Sequence, residues 1–77
     1  MFSLVQATIL YRHGMIEIII ERWTSPQGRT DHLWSVWRDG KRAEMGGPHG
    51  SAEDAEEVAR RFCTLQFNSE PDRVTRL

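Results

Sequence analysis

The stretch His32-Leu33-Trp34-Ser35-Val36-Trp37-Arg38-Asp39-Gly40-Lys41-Arg42-Ala43-Glu44-Met45 decides the fold class. Its first half is rich in aromatic and β-branched residues, the types that fit a pleated, half-buried surface. Asp39-Gly40 then supplies the strongest turn signal in the chain, because a two-residue type I′ hairpin needs positive φ at both central positions. The reading is two antiparallel strands, His32 to Arg38 and Lys41 to Met45, joined at that dipeptide. Upstream, Met15 to Trp23 (MIEIIIERW) carries four isoleucines and reads as another strand. Thr24 to Asp31, with Pro26 and Gly28, reads as an exposed loop between them.

Downstream, Gly46-Gly47-Pro48-His49-Gly50 is expected to end the sheet and lead into a helix. Ser51 is a suitable N-cap, and Glu53, Asp54, Glu56 and Glu57 place negative charge at the positive end of the helix dipole. Ala52, Ala55, Val58, Ala59, Phe62, Cys63 and Leu65 recur at helical spacing, so a helix from Ala52 to Phe67 is expected to lay this stripe on the sheet. Phe2 to Arg12 reads as a first strand turning at His13-Gly14, although its apolar positions also suit a short helix. Asn68 to Leu77 reads as a polar tail with order only near Val74. The expected fold is therefore α+β, an antiparallel sheet of three or four strands in the order β-β-β-β-α, with one helix across one face.

The length is 77 residues, with 11 acids against 10 bases and a formal net charge of -1. One small domain, residues 1–77, is expected, with 1–14 as an appended strand. Cys63 is the single cysteine, so no internal disulfide staples the chain, which fits a reducing cytoplasm. No apolar run reaches the ~18 residues needed to span a bilayer, so no membrane association is expected. Near-neutral charge argues against simple coating of nucleic acid, which needs an excess of Lys and Arg. No nucleophile, base and orienting group can be assembled, so no enzyme is expected. His13, His32 and His49 lack metal-ligand spacing with each other or with Cys63, so neither metal nor cofactor is expected. The glycines at 46–50 lack the Lys and Ser/Thr of a phosphate loop.

One helix covers one face only. By strand alternation Ile16, Ile18 and Ile20 share a face with one another, and Ile19 and Trp23 lie opposite. Trp34 and Val36 likewise oppose Leu33 and Trp37. Several large apolar groups are thus expected on the uncovered face. Either the first segment or the tail covers them, or they form a homodimer or partner interface. Trp23 and Trp37 are the aromatic anchors expected of such an interface, because Trp and Arg tend to dominate binding energies. Glu53, Asp54 and Glu57 are candidate acidic contacts; the same residues also serve as ordinary helix-start charge. Arg38 and Arg42, flanking the hairpin tip with Lys41, are candidate steering and hydrogen-bonding groups, or simply keep an edge soluble.

The order from His32 to Phe62 resembles the three-stranded sheet plus helix modules of phage integrases that bind DNA arm sites, and more distantly the second half of a double-stranded RNA-binding domain. That resemblance implies nucleic-acid contact through Arg38, Lys41 and Arg42, whereas the helix start that is basic in those families is acidic here. In size and layout the chain also resembles small phage-encoded anti-CRISPR proteins, matched by Arg38-Asp39-Gly40-Lys41 and Ser51-Ala52 over about a third of its length. This implies a non-enzymatic inhibitor in a bacterial host cell that binds a larger protein or ribonucleoprotein complex and blocks its nucleic-acid site. A small DNA- or RNA-binding module and a dimerising cytoplasmic protein are the alternatives.

Overall fold

The computed structural model describes residues 14–77. Four strands and one helix run in the order β1 (Ile16–Thr24), β2 (Thr30–Arg38), β3 (Lys41–His49), α1 (Ala52–Phe67) and β4 (Arg73–Arg76). The sheet order is β3-β2-β1-β4. The chain is α+β, but its sheet is mixed rather than antiparallel. β2 pairs antiparallel with both β1 and β3, whereas β4 pairs parallel with β1. The crossover from β3 to β4 runs through α1, the usual means of joining parallel strands.

Three sequence expectations change with this topology. The strand after α1 lies in the segment read as a polar tail, giving β-β-β-α-β over the described residues. Backbone bonds supply what its sequence lacks: Asp72 N–H donates to the Ile16 carbonyl at 2.8 Å, and Leu77 N–H to the Ile20 carbonyl at 2.9 Å. The Asp72 carboxylate also accepts from Ile16 N–H at 2.7 Å. The second change is at Gly46 to His49, read as a loop, which continues β3 through a cis Gly47-Pro48 bond. Third, Leu65 is 75% exposed and not part of the helix's buried stripe. The expected strand over Phe2 to Arg12 lies outside the described residues. β1 is already flanked by β2 along its whole length and by β4 over Glu17–Ile20.

The hairpin forms as its turn chemistry requires, with φ of 53° at Asp39 and 80° at Gly40. Helix α1 has the expected bounds. Ser51 Oγ accepts from Asp54 N–H at 3.1 Å, and Asn68, in the left-handed region at φ 53°, closes the other end by donating its N–H to the Thr64 carbonyl. The core lies between α1 and the sheet. Ile16, Ile18, Ile20, Trp34 and Val36 from the strands meet Ala55, Ala59 and Cys63 from the helix, all buried. Small side chains at 55, 59 and 63 bring the helix axis close to the isoleucines. Phe62 and Phe67 close the side: Phe62 lies 5.9 Å from Trp34 and 5.8 Å from Phe67, centroid to centroid, the latter edge-on at 88°.

Candidate functional site: the uncovered face of the sheet

Strand alternation sends the remaining side chains to the face away from α1. Among the described residues no element lies over it. Cross-strand register arranges them in rows. At the hairpin end, Arg42, Trp37, Glu17 and Arg73 form the first row. The Arg73 Nε donates to Glu17 Oε2 at 2.9 Å, and the Trp37 indole N–H donates to Ser35 Oγ at 2.8 Å. That second bond satisfies the indole and ties its ring to the strand, so the apolar ring surface is held in place.

The central row is Met45, Ser35, Ile19 and Thr75. Ile19 is half-buried and Met45 is 49% exposed. The third row holds Leu33, leaning on Gly47, beside Glu21 and Leu77. Beyond it Trp23 pairs with Asp31, and Arg29 donates to Asp31 at 3.2 Å. Trp23 is 60% exposed. A shallow groove of ≈ 380 Å³ runs between Trp23, Glu21, Arg22 and Leu77.

Of the residues singled out from sequence, Trp23, Trp37 and Arg42 therefore share this face. Arg38 does not. Its register partner is Ile16, so it points to the helix side, where its guanidinium stands 5.1 Å from the Phe67 ring centroid. Glu53, Asp54 and Glu57 also lie on the helix side, at the start of α1. Asp54 donates its backbone N–H to the Ser51 cap, Glu57 meets Arg61 at 3.7 Å, and Glu53 meets Arg76 at 3.7 Å. The two halves of the expected binding surface are on opposite sides of the sheet.

The acidic cluster is also partly neutralised by arginines of α1 and β4. Glu56 accepts from Arg60 at 2.8 Å and from Arg76 of β4 at 2.9 Å. The Arg60 hydrogen bond, followed by that from Arg76, lowers the Glu56 carboxyl below its ordinary value. The Arg76 bond ties β4 to the helix, and the surrounding depression is open and lined by charged residues, Glu53, Glu57 and Arg60 among them. Cys63 has no exposed surface, and its burial pushes the thiol pKa up, keeping it protonated and inert at neutral pH.

His32 and His49 face each other across β2 and β3, a juxtaposition their spacing did not reveal. Among the described residues no three His, Cys, Asp or Glu side chains gather as a metal would need. No described helix is long and apolar enough to cross a membrane. Sequence alternation had pointed to Ile19 and Leu33; Met45, Arg73 and Leu77 join them through register that only the folded sheet supplies. Comparison with protein-family models, with curated proteins and with solved structures finds no match for this chain.

Proposed function

We propose that the chain is a non-enzymatic protein-binding module that docks through the uncovered face of its sheet, an inhibitor or regulator of the mobile-element type it resembles. The observation that carries the reading is the set Trp37, Ile19, Leu33, Trp23 and Met45 on one face, over which no described element lies. Trp23 and Met45 are exposed and the other three half-buried; apolar groups gathered on an open face in this way mark binding surfaces on small proteins, and a Trp held by its own hydrogen bond is a preorganised anchor. The partner that suits the resemblance is a larger protein or ribonucleoprotein complex whose nucleic-acid site would be blocked.

The engagement of Arg38 with Phe67 and the mixed charge around the sheet favour a protein partner over nucleic acid. The test has two arms. Affinity capture from a bacterial lysate with the tagged full chain is expected to retain a nucleic-acid-processing complex. Trp37→Ala, with its fold verified by circular dichroism, is expected to lose that complex through an anchor worth about 2 kcal/mol. DNA and RNA titrations at moderate salt are expected to show no binding. A tight, steeply salt-dependent shift would transfer the function to direct nucleic-acid binding.

A further inference from the structure

We infer that the uncovered face also pairs with a second copy of this chain, sheet on sheet, about a two-fold axis running across the strands through Ile19 and Ser35. The inference rests on the reading of this face as a docking surface and names one occupant for it. What argues for a second copy is the distribution of charge along the strands. The hairpin end carries Arg42 and Arg73 against Glu17; the opposite end carries Glu21 and Asp31 against Arg29. Among the side chains that strand alternation sends to this face, which leaves out Arg22 on the helix-side parity of Ile20, the first end has one more base than acid and the second one more acid than base. A two-fold axis across the strands sets the basic end of one copy on the acidic end of the other, twice.

The apolar groups obey the same operator. Ile19 and Met45, both in the central row, meet their own copies. Trp37 in the first row lies over Leu33 in the third row of the second copy, a large ring against a side chain that leans aside over Gly47. Arg73, already bonded to Glu17, is set diagonally beside Glu21 of the second copy and can bridge the two carboxylates. The strands of the two sheets then run nearly antiparallel at the shallow angle usual for stacked sheets, about 10 Å apart. Four strands spaced about 4.8 Å apart and rows about 6.6 Å apart give a footprint roughly 20 Å on a side. That is about 400 Å² per copy, below the roughly 600 Å² per partner of stable specific interfaces, so the dimer is expected to be weak and to dissociate on dilution.

Sedimentation velocity of the full chain from the low to the high micromolar range tests this directly. A concentration-dependent monomer–dimer equilibrium is expected. Glu21→Arg and Arg73→Glu are each expected to weaken it roughly tenfold, because each sets like charges against each other at both symmetry-related places. Mixing the two variants in equal amounts is expected to restore dimer, since Arg at 21 then meets Glu at 73 and native Arg73 meets native Glu21. Ile19→Glu, on the axis, is expected to be monomeric with an unchanged far-ultraviolet spectrum. A wild-type chain that stays monomeric, or a mixture that fails to restore dimer, overturns the pairing. A monomer whose Trp37→Ala variant still loses its captured complex removes self-pairing and leaves the docking reading standing; a dimer whose capture is indifferent to Trp37 does the reverse.

Discussion

The two faces of this sheet are built from the same strands and differ by one residue of register. Ile18 and Ile19 are neighbours in sequence, yet Ile18 has no exposed surface and Ile19 is only half-buried. Ile18 sits between Val36 and Val74 under α1, whereas Ile19 sits between Ser35 and Thr75. The same side chain is buried under the helix in one place and left half-buried in the other. What separates the two positions is whether a described element lies over the face.

The largest effect that tests this contrast is truncation of the two isoleucines. Ile18→Ala removes a fully buried side chain packed between sheet and helix and is expected to cost about 2 to 4 kcal/mol, read from urea denaturation. Ile19→Ala is expected to cost about 1 kcal/mol or less at concentrations where the chain is monomeric. Equal losses would show that something covers both faces alike, and would break the division of labour.

The next effect concerns how the covered face achieves its packing. Gly46 lies opposite Trp34, and a Cβ there would stand 2.5 Å from the indole Cζ2. The ring fills the place of the missing side chain and reaches Phe62 beyond it. Gly46→Ala is therefore expected to destabilise by about 1 to 3 kcal/mol and to shift the near-ultraviolet tryptophan signal as the ring is displaced. Met45→Ala, one residue away on the uncovered face, is expected to change stability by less than about 0.5 kcal/mol. A harmless Gly46→Ala would mean that the ring can move aside and that the covered face is loosely packed.

These positions also show which parts of the molecule could be read in the chain. The Asp39-Gly40 turn, the Ser51 cap and the alternation of Ile16, Ile18 and Ile20 are local signals, each deciding its own structure within a few residues. They gave the hairpin, the helix bounds and the division of Trp34 and Val36 from Leu33 and Trp37. β4 was not legible, because Arg73-Val74-Thr75-Arg76 has one aliphatic residue among charged and polar ones. Its pairing comes from Asp72 and from β1 across more than fifty residues of sequence. The extension of β3 through Gly46 and Gly47 was hidden for a related reason, since glycine pairs suggest a loop until a tryptophan is seen lying over one of them. Of the candidate site, the placement of Trp23 and Trp37 on one face was legible. Its charges were legible only in part, because Arg42 lies on this face whereas Arg38, close to it in sequence, falls on the opposite one.

The smallest effect separates the ion pairs of the two faces. On the covered side Glu56 receives hydrogen bonds from Arg60 and Arg76, and its side chain is 19% exposed. On the uncovered side Glu17 receives one, from Arg73. All three arginine side chains are more than two-fifths exposed, so screening by water keeps each pair near 0.2 to 1 kcal/mol, approximately. Because the Glu56 carboxyl is held below its unfolded value, its contribution is fully present above the ordinary glutamate range of about 4.3. As the pH falls through the lowered folded value, Glu56 takes up a proton and that contribution is lost. The stability difference between wild type and Glu56→Gln is therefore expected to be about 0.5 to 1 kcal/mol at pH 7 and to close toward zero once the pH has fallen through the lowered folded value. Glu17→Gln is expected to cost less at neutral pH, about 0.5 kcal/mol at most, since a single exposed arginine opposes it and no second element is tied down through it. If Glu17→Gln proved the costlier of the two, the uncovered face would be contributing to folding through its charges, and the clamp between β4 and α1 would not be what holds the last strand in the sheet.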